Sequence, residues 1–290
     1  MSDVLGVGLA LPPDPVSLNI LWPLITEAVD YYEVAPETLW RPRADGFLGG
    51  NGFRARFLQL KADSGLPFVA HGVGLSMAHP TPARRQRWLA QLRADQADFD
   101  FAWYTDHLGW THAHGQNLSL PLAAPDTPET RRRLVGALRD IQSFAPLAGM
   151  ENSASYFLPY PPLREPELIG EVLEEADGWL LLDLHNLYTM STNMGFDPMD
   201  WLAAAPLGRV IEIHLSGGVD SRPGWLPGGR TMRLDSHDAA IPAPVWALLA
   251  AVRPRCPRLR GITVEHIEGS FTTRDLPRMR DELARARAAL

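Results

Sequence analysis

Six short apolar runs of this 290-residue chain end in a histidine or a carboxylate. The first three end Val-Ala-His71, Thr-Asp106-His107 and Gly-Met-Glu151-Asn152. The others end Leu-Leu-Asp183-Leu-His185-Asn186, Glu212-Ile-His214 and Val-Glu265-His266, and Asp235-Ser-His237 lies between the last two. With 34 acidic residues and 9 histidines in the chain, chance seldom puts one at the end of six successive runs. Scattered surface charge therefore does not explain the pattern. Such groups cannot be buried unpaired at low cost, so they form either a dense hydrogen-bonded network or a cation site. Imidazoles and carboxylates without thiolates are an N/O donor set for Zn, Mn, Fe or Ni. Four histidines and four carboxylates are too many for one ion, and two or three ions bridged by Glu151 would use them better. A single-ion site and a metal-free network are the alternatives. The single cysteine, Cys256 in Arg-Cys-Pro, excludes an internal disulfide and a cysteine-based zinc site, and reads as an inert thiol.

Alternation along an extended strand sorts the remaining candidates. Glu212 lies on the face of His214 but one layer deeper, as an orienting group rather than a ligand. Asp106 and His107 cannot both point inward, and His107 is the better donor. Asp183 and His185 share a face, with Asn186 just beyond, where the chain turns; Asn186 and Asn193 could ligate or could hold the loop. Asp235 and His237 are expected on one side of an extended segment. His266 should face outward against a helix, while His79, His112 and His114 read as solvated loop residues.

The elements that must position these groups are eight short apolar runs: Leu5–Leu9, Tyr31–Val34, Pro67–Val73, Ala102–Leu108, Leu147–Asn152, Trp179–Asn186, Val210–Leu215 and Gly261–Ile267. Between them lie helical patterns over Arg84–Asp100, Glu129–Phe144 (after a Thr127-Pro128 start signal), Glu165–Ala176, Ala243–Val252 and Leu276–Leu290. Strand and helix alternating through the chain predict an α/β fold, a single (β/α)8 TIM-type barrel spanning residues 1–290, whose site would lie at the C-terminal ends of the strands. An open doubly wound sheet is the runner-up, but the Gly-x-Gly-x-x-Gly fingerprint is absent. The composition, 46% hydrophobic and 21% charged, is that of a globular protein. Of 27 basic residues only Lys61 is a lysine, which removes P-loop chemistry and leaves little room for a Schiff base. A net charge of -7 argues against non-specific binding to nucleic acid or an anionic membrane. No apolar stretch approaches the roughly 18 residues of a membrane span, and no signal peptide is visible, so a cytoplasmic protein is expected.

The ordered blocks Glu151-Asn-Ser-Ala-Ser-Tyr156, Leu181-Leu-Asp-Leu-His-Asn-Leu-Tyr188, Asn193-Met-Gly-Phe-Asp-Pro198 and Glu212-Ile-His-Leu-Ser-Gly-Gly218 resemble the multinuclear non-heme iron-dependent oxidases, a family that includes the methanobactin-biosynthesis oxidase. His71-Gly-Val-Gly-Leu-Ser76, Asp106-His-Leu108, Asp235-Ser-His237 and Val264-Glu265 match further blocks in the same order, so the resemblance runs from about Gly6 to Phe271. It implies a TIM-type barrel and an O2-dependent enzyme that modifies a cysteine-containing, ribosomally made precursor peptide delivered by a small partner protein. It also implies two or three iron ions of mixed Fe(II)/Fe(III) valence, with O2 as co-substrate. The implied ligands are His71, His107, Glu151, Asp183, Asn186, His214, Asp235, His237 and Glu265. Of these, Glu151, Asp183 and His214 would be closest to the reaction. Glu151 would bridge two ions, one held by His71 and His107 and the other by Asp183, His214 and Glu265; Asn186, Asp235 and His237 would make a third position. Two residues depart from the pattern: His185 stands where many members carry Asn, and Ala10 where an arginine is common. The rival readings are a divalent-metal hydrolase or isomerase on a xylose-isomerase-like barrel, and a non-catalytic metal-stabilised binding module. The long segment Gly217–Arg230 with Trp225, and Ser155–Pro162, would line a groove wide enough for a peptide.

Overall fold

The computed structural model describes residues 4–44, 48–79, 82–113 and 116–290. The eight runs become eight strands: β1 (Gly6–Ala10), β2 (Tyr31–Val34), β3 (Phe68–Gly72), β4 (Tyr104–His107), β5 (Ala148–Glu151), β6 (Trp179–Asp183), β7 (Val210–Leu215) and β8 (Gly261–Val264). They pair in parallel with their sequence neighbours, and β8 pairs with β1 to close the barrel. Closure leaves no strand edge exposed, and helices cover the outside, as a parallel sheet requires. Both faces of the strands are therefore buried, which is why they read as short, nearly continuous apolar runs.

Register brings the polar run ends to one level. His107 lies opposite Glu151, and Asp183 opposite His214. Leu215 pairs with Val264, so Glu265 follows directly at the end of β8. A deeper layer separates this mouth from the barrel floor. There Glu212 accepts from Trp103 Nε1 at 2.6 Å, Thr263 Oγ1 at 2.5 Å and Tyr31 OH at 3.2 Å. Below it Tyr31, Val69, Trp103 and Ile211 pack into a small cluster of their own.

Local sequence accounts for the helices. The Thr127 side chain caps the helix Pro128–Gln142 by accepting from Thr130 N at 3.1 Å. Arg164–Ala176 turns Leu168, Ile169, Val172 and Leu173 inward and stops at Asp177 in a left-handed conformation.

Three expectations are corrected. The sixth run does not continue as a strand to Asn186. Asp183 ends β6 and caps a helix, Leu184–Met194, by accepting from Asn186 N, so His185 lies in a helical first turn and does not share a strand face with Asp183. His112 lies not in a loop but in the hairpin Trp110–Ala113/Gln116–Leu122, and its Nδ1 is 3.0 Å from Arg84 Nη2. His237 has φ +52°, so the Asp235–His237 segment is not simply extended: a left-handed turn brings the two side chains together. His114 lies outside the described residues. No described helix is long and apolar enough to cross a membrane.

One buried carboxyl gives the scaffold a testable pH dependence. Glu165 is fully enclosed, accepts from Trp201 Nε1 at 3.2 Å, and is raised by burial from 4.5 to about 8. The unfolded chain releases this proton near 4.5 and the folded chain only near 8, so the contribution to stability is complete below pH 4.5 and is lost as pH rises to 8. The loss is on the order of 5 kcal/mol. Glu165→Gln should remove that slope, and denaturant unfolding of the two proteins at pH 5 and pH 9 should show the variant gaining relative stability at the higher pH.

Candidate metal centre

Three clusters of donors meet at the C-terminal mouth of the barrel. In the first, Glu151 Oε2 lies 2.5 Å from His107 Nδ1 and 3.2 Å from His71 Nε2. Thr105 Oγ1, 3.0 Å from His71 Nδ1, holds the far side of that ring. In the second, His214 lies between carboxylates, with Nδ1 3.1 Å from Glu265 Oε2 and Nε2 2.8 Å from Glu33 Oε2. In the third, His185 Nδ1 and His237 Nε2 approach the same oxygen, Asp235 Oδ1, at 2.9 and 2.8 Å. His71/Glu151/His214, Glu33/His214/Glu265 and His185/Asp235/His237 each bring three donor atoms within 4.8 Å of one another. The sets are contiguous: the His71 ring lies 5.0 Å from that of His214, and Glu265 Oε2 is 3.8 Å from His237 Nδ1.

Asparagines join the strand ends. Asn152 accepts from Asp183 N and donates to Asp183 O, both at 2.9 Å, fastening β5 to β6. Asn186 donates to Glu151 Oε1 at 2.9 Å and to Asn152 O at 3.0 Å. Asn186 therefore rests on the Glu151 side, while His185, which the implied ligand set omits, reaches Asp235. Asn193 holds a loop: it accepts from Arg233 N and donates to Arg233 O, each at 2.8 Å.

The electrostatics are those of a site lacking positive charge. Burial opposes charge on His107 and His237, but Glu151 raises the first to about 9 and Asp235 the second to about 10. Burial pushes Glu265 up, yet His214 and His237 draw it down to about 2. Asp183 is raised well above the ordinary carboxylate range by burial, then by Glu151, Asp235 and Glu265. Protons thus take the place of cations. Even so, buried Asp183 Oδ2 and Asn186 Oδ1 have no hydrogen-bond partner, and His214 Nδ1, though close to Glu265, is not aligned for a hydrogen bond with it. Ligands bound to one ion at ~2.1 Å lie about 3 Å apart when at right angles, close to the spacing of His214 Nδ1 and Glu265 Oε2. Donor atoms without hydrogen bonds, at that spacing, fit a bound cation.

The structure brings His71, His107, Glu151, Asp183, Asn186, His214, Asp235, His237 and Glu265 to this mouth. His71, His107, Glu151, Tyr156, Asp235 and His237 help line a cleft of about 340 Å³. Asp106 points elsewhere and accepts from Tyr104 OH at 2.7 Å. His266 faces outward, 3.5 Å from Glu282 on the helix Leu276–Ala289. Sequence reasoning missed Glu33. Its signal was present, since it stands one residue before the end of the second run, but that run looked like ordinary apolar strand.

The profile of a family described as RiPP precursor modification enzyme MbnB/TglH/ChrH matches residues 6–290. A “UPF0276 protein” of Rhizorhabdus wittichii is 33% identical over 227 residues, covering 77% of this chain and 74% of its own. Another, from Shewanella sediminis, is 30% identical over 273 residues, covering 93% and 89%. Among solved structures, endonuclease IV from Thermus thermophilus superposes with a TM-score of 0.59 at 18% identity, covering 96% of this chain and 98% of that one. D-psicose 3-epimerase from Clostridium cellulolyticum gives 0.57 at 12%, covering 98% and 96%. The IOLI protein, solved with a bound zinc atom, gives 0.59 at 12%, covering 98% and 96%. At these identities the structural likeness shows the fold.

Glu33 carries a direct test of the charge balance. In the metal-free protein, Glu33→Gln keeps a hydrogen-bond acceptor beside His214 Nε2 but removes the negative charge. His214 should then titrate at least about one pH unit lower by imidazole NMR, and an unchanged titration would show that Glu33 does not charge this ring.

Proposed function

We propose that this chain, which belongs to the MbnB/TglH/ChrH family of RiPP precursor modification enzymes, is an iron-dependent oxidase that uses O2 to modify a cysteine of a precursor peptide. The observation that carries this reading is the crowding of three donor clusters into one buried mouth, with Asp183 Oδ2 and His214 Nδ1 left without hydrogen bonds. His71 and His107 would hold one ion and Asp183, His214 and Glu265 a second, with Glu151 between them. Asn186, Asp235 and His237 would serve a third. Iron ions of mixed Fe(II)/Fe(III) valence, once bound, would supply one-electron redox chemistry toward O2 and a thiolate.

The protein's own work is positional. Thr105 orients the ring of His71, and Glu33 directs Nδ1 of His214 toward Glu265 by holding Nε2. Asn152 and Asn186 keep Glu151 and Asp183 at fixed separation. Phe157 and Trp225, exposed aromatics on the two segments that would line a peptide groove, would stand at its rim. A small protein that delivers the peptide would dock on this rim.

A sugar isomerase on the same barrel is less well supported. Lys61 lies on the helix Gly52–Ser64 and donates to Phe99 O, away from the mouth, so it cannot serve a carbonyl there.

Aerobic incubation of the iron-loaded protein with a cysteine-containing precursor peptide encoded beside its gene should change the peptide's mass. Glu151→Gln should lower the rate at least about 100-fold and reduce bound iron. A protein that binds iron, absorbs in the visible and leaves every such peptide unchanged would overturn the oxidase reading. A colourless protein that binds only zinc or magnesium would favour the hydrolase.

A further inference from the structure

His185 is buried in the first turn of the helix Leu184–Met194, and its two ring nitrogens face chemically different groups. Nδ1 lies 2.9 Å from Asp235 Oδ1, and Nε2 lies 3.4 Å from Arg233 Nη2. A guanidinium has only donors, so the nitrogen facing it must be the bare one. A neutral imidazole with a bare Nε2 carries its proton on Nδ1, where Asp235 accepts it. For Nδ1 to bind a cation the proton would have to move to Nε2, against Arg233. That guanidinium is itself well held, 5.4 Å over the Tyr188 ring and on a backbone that Asn193 grips at both N and O.

We infer that His185 is a positioning residue rather than a ligand: Arg233 sets its tautomer, and its Nδ1–H holds the Asp235 carboxylate for the third cation position. This rests on the metal-dependent reading above. Asp235 needs such a hold because it lies on an irregular segment, unlike Glu151 and His214 on strands. Tyr156 OH accepts from Asp235 N at 3.0 Å and fixes the backbone, while His185 and His237 both engage Oδ1 of the side chain. Oδ1 is thereby committed to imidazole N–H groups, and Oδ2 is the oxygen that Asp235 can offer a cation. The arrangement is the outer partner of a ligand, with imidazole and carboxylate in reversed roles: here the histidine orients the carboxylate.

Zinc(II) alone is the probe, being diamagnetic. Imidazole-nitrogen NMR of the whole protein, zinc-free and zinc-saturated, should show His185 with Nδ1 protonated and Nε2 bare in both states. Chelator competition should find that His185→Phe weakens the weakest-bound zinc roughly 10- to 100-fold. His185→Asn, whose amide N–H falls near the position of Nδ1, should restore it to within about threefold. A zinc-induced loss of the Nδ1 proton in the wild type would overturn the inference by making His185 a ligand. Equal zinc affinity in wild type and His185→Phe would overturn it too, while leaving the proposed function standing. If His185→Phe does not fold, the wild-type spectra and the His185→Asn affinity still decide. A wild-type protein that binds no zinc and no iron at all would overturn both readings.

Discussion

The mouth of this barrel crowds carboxylates together largely out of water. Glu33, Glu151, Asp183 and Glu265 converge there with Asp235 at the rim, and an ionised carboxylate out of water must be paired or must take a proton. Both occur. Glu151 and Glu265 stay ionised by borrowing charge from His107, His71 and His214, whereas Asp183, enclosed and surrounded by other carboxylates, is pushed toward its neutral form. The arrangement is built for positive charge at several points, and the imidazolium rings supply it only in part.

The layer beneath shows what a satisfied buried carboxylate looks like in the same fold. Glu212 lies on the strand of His214, two residues earlier, and Trp103, Thr263 and Tyr31 all donate to it. Asp106 has a tyrosine hydroxyl on one oxygen and no partner on the other. Asp183 Oδ2 has no such donor although Asn152, Asn186 and Glu151 surround it. Buried polar atoms are almost always paired, so Asp183 Oδ2, set beside the donor clusters, is an acceptor with room for a further partner. Glu212 also ties strands across the barrel, because its donors come from β2, from β8 and from the residue that precedes β4.

Much of this was legible in the sequence because a parallel strand is short, apolar and ends abruptly. The polar residue at or beside the end of each run, His71, Glu151, Asp183, His214 or Glu265, falls where a barrel places its chemistry. Glu33 stands one residue before the end of its run, as His214 does, but Tyr-Tyr-Glu-Val looks like ordinary apolar strand and no second His or carboxylate marks it. His185 was misplaced for a different reason. Alternation continues on paper from Asp183 to His185, but Asp183 accepts from Asn186 N and so begins a helix, and the period changes there from two to 3.6. The pairing of Asp235 with His237 was anticipated from its spacing, while the left-handed turn at His237 that creates it leaves no mark in composition. That the Asn186 amide rests on Glu151 is hidden too, since it depends on which way one helical turn faces.

The three clusters differ in how they are held. The first two rest largely on strand ends locked by register. The third is assembled from a helical first turn, His185, and a loop, Arg233 to His237, joined through Tyr156, Asn193 and the imidazole contacts on Asp235. Side-chain hydrogen bonds do there what backbone pairing does elsewhere. Position 185 belongs to this kind of support, since its side chain reaches Asp235 and Arg233.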